Sequence, residues 1–505
     1  MLFNSFPFLA VFLPVTLIIY WALRNLQFHA GAFLALSAAS YAFYAYGEPS
    51  YPWLILVSVV FNFLFGRWIT ASQGRTRHLL FVLAITGDLG ALGYFKYANF
   101  FDANVHALTG VSLLSQSIVL PIGISFFTFT QIAFLVDAYR GLVVETNPLS
   151  YFLFVTFFPH LIAGPILHHK EMMPQFTRRE PGSVIDGLAT GIPMFAIGLF
   201  KKCVLADSVS LFTSALFNQA GAGHPLTLLE AWVAALGYTA QIYFDFSGYS
   251  DMAIGLGRMF CIDLPINFNS PYKSLSIVDF WRRWHITLSR FLRDYLYFSL
   301  GGNRSGPVRR YTNLFITMVL GGMWHGAGWT FLLWGALHGF YLFVCHLWRH
   351  LFPAVRLGRF VSGAITLFCV VIAWVPFRSA NFSVARNVWL GMAGAQGLAM
   401  PNWPGFGTLW HASGLPVADM EFGRGDILLL MAVFLVCFLL PNSQEWLARF
   451  RLGLDTPGYG AIRPGAGSRR WAFGWNWPTA LASGVILGVA LRFAGGYSEF
   501  IYFQF

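Results

Sequence analysis

The chain has 505 residues, of which 57% are hydrophobic and only 10% charged. A soluble protein carries about a quarter charged residues, so a soluble fold is excluded. The formal net charge of +11 does not point to nucleic acid, because the basic residues lie in short segments between apolar runs, where membrane topology places them.

Apolar runs of about 20 residues, the length that crosses a hydrocarbon core, recur along nearly the whole chain. Candidate spans begin near Phe6, Phe28, Tyr51, His78, Leu114, Tyr151, Gly187, Leu228, Asn313, Trp329, Val361, Ile427 and Thr479. They predict an all-α polytopic membrane protein with about 11–13 membrane helices and re-entrant segments. No basic segment precedes the first run, Phe6 to Leu23, and no small-residue cleavage site follows it, so it reads as a retained span rather than a signal peptide.

Arg24 follows the first span and Arg67, Arg75 and Arg77 the third, whereas Glu48 and Asp102 follow the second and fourth. That alternation predicts an N-terminus outside the cytoplasm. Arg449, Arg451, Arg463, Arg469 and Arg470 precede the last span and mark the cytoplasm again, leaving Tyr497 to Phe505 outside. Pro121-Ile-Gly123 and Gly164-Pro165 interrupt apolar runs; each reads as a kink between packed helices or as the wall of a functional cavity, since bare backbone is not tolerated in lipid. Gly391 to Asp426, rich in Gly, Pro and Trp, reads as an extramembrane loop. The five cysteines, Cys203, Cys261, Cys345, Cys369 and Cys437, form no CxxC pair and no metal-ligand spacing.

Polar chemistry concentrates between Gln241 and His338. Asp245 and Asp251 sit in the apolar, glycine-rich QIYFDFSGYSDMAIGLG, either as helix caps at a membrane boundary or as functional acids. At about 100° per residue, 279–297 forms a wheel with Asp279, Arg282, Arg283, Arg290, Arg293 and Asp294 on one face and aromatic and leucine residues on another. It reads as an interfacial amphipathic helix, with His285 turned away from Arg283. His325 lies in LGGMWHGAGW, flanked by glycines that permit close approach. An imidazole there can take and return a proton at neutral pH or simply bond a neighbouring carbonyl. His338 reads as structural.

Seven ordered blocks, among them FKYANF (95–100), LPIGISFF (120–127), FPHLIAGPI (158–166), YFDFSGYSDMAIGLG (243–257), FWRRWHITLS (280–289), LRDYLYFSLGGNR (292–304) and LGGMWHGAGW (320–329), resemble the membrane-bound O-acyltransferases, in particular the bacterial alginate O-acetylase branch. The resemblance covers nearly the whole chain and implies one membrane domain over 1–505, with tilted helices around a central tunnel. It implies acyl transfer, with His325 and His285 as the catalytic pair, and reverses the structural reading of His325. It further implies acetyl-CoA as donor, no permanently bound cofactor, and the bacterial inner membrane as location.

The expected acceptor is an exopolysaccharide, alginate first, with cellulose, peptidoglycan, teichoic acid or a lipid as alternatives, and a non-enzymatic acetyl or polysaccharide channel as the rival class. Members of the branch that the chain resembles work with secreted or periplasmic acetyltransferases, so the resemblance, in a sequence with no appended soluble catalytic domain, implies periplasmic acetyltransferases or acetyl carriers as partners. Arg282, Arg290 and Arg293 are candidates for the phosphates of coenzyme A or of membrane lipids.

Overall fold

The computed structural model describes residues 1–143, 147–177, 182–304, 306–405, 410, 412–450, 453–454, 474 and 476–496. Of the residues read above as topology markers, Arg451, Arg463, Arg469, Arg470 and the tail from Tyr497 lie outside that set. Helices dominate, as the apolar periodicity requires. In chain order they are α1 (Leu13–Asn25), α2 (His29–Gly47), α3 (Leu54–Ala71), α4 (Gly74–Leu92), α5 (Ala98–Thr109), α6 (Ile124–Tyr139), α7 (Pro148–Thr156), α8 (Phe158–Leu161), α9 (His169–Phe176), α10 (Val184–Phe200) and α11 (Asp207–Gly221). There follow α12 (Leu228–Met259), α13 (Ile277–Trp281), α14 (Ile286–Phe291), α15 (Gly306–His325), α16 (Trp329–Leu351), α17 (Arg359–Arg378) and α18 (Phe382–Met392), then α19 (Arg424–Leu439), α20 (Ser443–Trp446) and α21 (Trp477–Phe493).

Among the described residues, six helical segments are long and apolar enough to cross a membrane: Pro7–Asn25, Leu54–Ala71, Gly74–Thr109, Val184–Gly221, Trp329–Leu351 and Arg359–Arg378. The protein is therefore a multi-pass, all-α membrane protein. Three sequence expectations need correction. The run near Leu114 is not helical until Ile124, because Asp102 accepts from the Ser112 hydroxyl and the Leu114 amide, and Asn99 pairs with both backbone groups of Ile118. The span near Tyr151 ends at Thr156, where Phe157 leaves helical geometry (φ −51°, ψ 107°) before the short helix α8 starts at Phe158. The stretch 391–426 is more than a loop: Met400–Pro401 (β1) and Val417–Ala418 (β2) pair in parallel, and α19 begins at Arg424.

The chain divides into two compact units. The first takes in Met1–Leu199, Tyr249–Asn267 and Ser443–Gly496. In it α3, α4 and α6 pack together, α7 packs on α2, α3 and α9, and α2 packs on α1. Gly123 starts α6 in the left-handed region (φ +74°), with the Leu161 carbonyl 3.1 Å from where a Cβ would stand, so the Pro-Ile-Gly interruption is a close-packed turn. Asp251, at 1% exposure, accepts from Ser443 Oγ (2.6 Å) and Gln444 Nε2 (2.9 Å).

The second unit takes in Phe200–Gly248 and Phe268–Asn442. Its centre is the antiparallel pair α15 and α16, with α17 against α16 and α18 against α11 and α17. Small residues let helix backbones approach closely in lipid. Here a Cβ on Gly335 would stand 2.9 Å from Val319 Cα and closer still to the Met318 carbonyl. We expect Gly335→Ala to lose about 1–3 kcal/mol through overpacking, seen as a lower midpoint of thermal unfolding in detergent. Gly358→Ala, which meets nothing within 4 Å, should leave the midpoint unchanged; equal midpoints for the two variants would contradict this packing.

Candidate active site

Within the second unit, the segment read as one amphipathic helix is broken. Ser276 Oγ caps α13 by accepting from the Asp279 amide, and α13 stops at Trp281. The chain turns through Arg282 to Trp284, and His285 adopts φ +41°, ψ 57°. A non-glycine residue in that left-handed region costs about 1–3 kcal/mol unless its surroundings hold it there. Several contacts do so. Asn269 N–H donates to the Arg283 carbonyl at 2.9 Å, and Arg283 Nε donates to Asp279 Oδ1 at 2.9 Å. Trp284 stacks on Phe280 at 5.7 Å and meets Trp374 at 4.9 Å. The His285 carbonyl accepts from the Ser289 amide, which starts α14, and a π-helical turn, Leu292–Tyr297, follows.

His285 is fully buried, with Phe246 of α12 edge-on to its ring at 4.7 Å. His325, the last residue of α15, is 5% exposed. The Gly326-Ala-Gly328 turn then carries the chain into α16. Trp324, Trp334 and Phe377 surround the His325 ring with centroids at 4.9, 5.0 and 5.2 Å. The two imidazoles lie 6.5 Å apart between centroids and are tilted by 59°. That separation exceeds the span of a direct imidazole–imidazole hydrogen bond and suits one atom of a bound group bridging them. Apolar rings exclude bulk water from such a place, which suits proton transfer from a bound hydroxyl to an imidazole and polarisation of a carbonyl.

His338 has the structural role the sequence suggested: Trp281 Nε1 donates to its Nδ1 at 3.3 Å and Phe280 stacks on it at 6.0 Å, pinning α13 to α16. The three candidate arginines do not form one exposed stripe, because the break at His285 changes the helical phase between them. Arg282 is exposed. Arg290 is buried, 3.9 Å from Asp294, and Arg293 is held by both Asp294 oxygens at 2.7 and 3.1 Å.

Asp245 caps no helix. It lies within α12 at 0% exposure, 2.6 Å from Lys202 Nζ, which also reaches Asp207 at 2.7 Å. Sequence reasoning missed Lys202. Its signal was Lys201-Lys202 inside an apolar run, since a charge within a span requires a partner. The enclosing rings of Phe246, Trp334 and Phe377 were equally unmarked, being aromatic residues in a chain with 53 phenylalanines and 18 tryptophans.

Asparagine enters the left-handed region far more readily than a β-branched residue. His285→Asn should therefore unfold at a higher temperature than His285→Val in detergent; the reverse order would show that the strained backbone at 285 is not what the fold demands.

Residues 72–380, which include both histidines, match the model of the membrane-bound O-acyltransferase family. The chain is 38% identical over 526 residues to a probable alginate O-acetylase of Azotobacter vinelandii, covering 100% of both chains. It is 42% identical over 433 residues to a peptidoglycan O-acetyltransferase of Helicobacter pylori, covering 79% of this chain and 81% of that one. More distantly, it is 31% identical over 286 residues to a teichoic acid D-alanyltransferase of Bacillus subtilis, covering 53% of this chain and 71% of that one.

Proposed function

The chain belongs to the membrane-bound O-acyltransferase family, and from that premise we propose that it carries acetyl groups across the bacterial inner membrane for O-acetylation of an exopolysaccharide, alginate first. The donor is acetyl-CoA, entering from the cytoplasmic side, and the N-terminus is periplasmic. A tunnel through the helices connects donor and acceptor sides. Periplasmic acetyltransferases or acetyl carriers receive the group and complete transfer to the polymer.

The observation that carries the reading is the pair His285 and His325, 6.5 Å apart in an aromatic enclosure within the matched region. His325 takes the proton of the acceptor hydroxyl as its oxygen attacks the thioester carbonyl. His285 donates a hydrogen bond to the carbonyl oxygen, where negative charge develops. The new C–O bond forms, the C–S bond breaks, and the proton held by His325 passes to the departing thiolate, giving acetyl ester and free thiol. Arg282, the exposed member of the arginine set, is the residue of that segment offered to phosphate groups.

A second reading, acetylation of peptidoglycan, is favoured by the Helicobacter pylori relative at 42% identity. Acetyl content of exopolysaccharide and of peptidoglycan, measured in a strain lacking the gene, separates the two. The exopolysaccharide should lose its acetyl groups and the peptidoglycan keep them; the converse assigns the second reading. Complementation with His325→Gln at wild-type membrane level should restore about 10²–10⁴-fold less transfer activity, the worth of a general base. Full restoration would sink the catalytic role and favour a channel.

A further inference from the structure

Five segments of the first unit converge on a cavity of about 650 Å³: the C-terminal half of α1, α2 at Phe33, α9 at Gln175, the start of α10 with Gly182 and Ser183 before it, and the end of α12 with the residues that follow it. Its wall includes Tyr20, Arg24, Asp186, Arg258, Cys261 and Asp263. None of these belongs to the histidine site. The volume falls in the usual range of small-molecule sites, about 300–1,000 Å³, and exceeds what a lone ion needs.

The wall is built, not incidental. Tyr20 Oη donates to the Phe260 carbonyl and Trp21 Nε1 to the Met259 carbonyl, both at 3.1 Å. The Arg24 guanidinium lies over the Phe33 ring at 5.4 Å and is buried to 4% exposure. Gln175 bonds the backbone of Asp263 through both its amide oxygen (2.8 Å) and its nitrogen (3.0 Å), while Arg258 pairs with the Asp263 carboxylate at 2.8 Å. Cys261 takes φ +55° and donates its thiol to the Ser183 carbonyl at 3.7 Å. Burial pushes that thiol above its ordinary pKa.

Two features choose the ligand. First, α1 and α10 belong to segments long and apolar enough to span a membrane, and the cavity lies where one ends and the other begins. That is the depth of lipid headgroups, with Tyr20 and Trp21 placed as interfacial aromatics are. Second, the described lining residues carry two arginines and two aspartates. A polyanion gains no net attraction from such a wall, whereas a zwitterion satisfies both signs.

We propose that this cavity seats the headgroup of a zwitterionic phospholipid, its phosphodiester against Arg24 and its ammonium toward the exposed Asp186. The proposal is independent of the acyl-transfer reading.

Cys261 supplies the reporter. The full-length protein in detergent micelles is treated with N-ethylmaleimide, and the rate of modification at Cys261 is read by peptide mass spectrometry. Dioleoylphosphatidylethanolamine should slow it several-fold, and dioleoylphosphatidylglycerol or acetyl-CoA should not. Arg24→Gln should abolish the protection, and Asp186→Asn should let the anionic lipid protect as well. The exposed position of Asp186 keeps the test available should Arg24→Gln fail to fold. Protection of the wild type by phosphatidylglycerol as strong as that by phosphatidylethanolamine would overturn the zwitterion assignment. Protection by acetyl-CoA alone would assign the cavity to a nucleotide and overturn the lipid.

Discussion

In a hydrocarbon solvent every peptide N–H and C=O must find its partner inside the protein. A helix satisfies that demand on its own; a break in a helix does so only where other protein groups reach the freed backbone. The turn between α13 and α14 meets this condition. Its backbone groups are taken by the Asn269 amide on the Arg283 carbonyl, the Phe280 carbonyl on the Arg283 amide and the Ser289 amide on the His285 carbonyl, and Trp284 fills the space beside it. With those partners in place, His285 is held in a left-handed conformation at full burial. The orientation of its ring toward Phe246 and His325 follows from that backbone.

The second histidine is placed by a different device. Glycines at 322, 335 and 339 let α15 and α16 approach until backbone nearly meets backbone, and His325 is the last residue before the turn that joins them. One imidazole thus depends on a helix break and the other on a tight helix pair. The rings of Phe246, Trp324, Trp334 and Phe377 around them exclude bulk water, which suits acyl transfer to a hydroxyl in place of hydrolysis. The ion cluster of Lys202, Asp207 and Asp245 occupies the same unit. Its Asp245 neighbours Phe246 on α12, so the rotation of α12 that seats the carboxylate on Lys202 also presents Phe246 to His285.

Much of the fold was legible in the sequence, because hydropathy over about 20 residues reports a property that lipid imposes directly. The helices begin close to the expected positions wherever nothing but lipid and packing decides. They depart where side chains rewrite the backbone: Asp102 and Asn99 hold 112–118 out of a helix, and Phe157 turns the chain ahead of Pro159. Of the site, His325 was legible through its glycines and its family motif. The geometry at His285 was not, because Asp279 to Tyr297 satisfies a continuous amphipathic wheel and only long-range partners such as Asn269 and Trp374 impose the break. The same break explains why Arg282 is exposed while Arg290 and Arg293, on the far side of it, both lie against Asp294. Lys202 escaped notice because Asp245, the partner that ties it to α12, is distant in sequence, and Asp207 close by reads as an ordinary polar residue at a helix start.

The most direct measurement is single-turnover chemistry in proteoliposomes. Purified protein is supplied with acetyl-CoA on one side and a soluble hydroxyl acceptor on the other, and release of free thiol is followed together with acetyl ester formation. Stoichiometric thiol and ester in the wild type, with both lost in His325→Gln and thiol release slowed in His285→Asn, is the result expected of two imidazoles acting on one thioester. Ester formation that persists unchanged in both variants would contradict it.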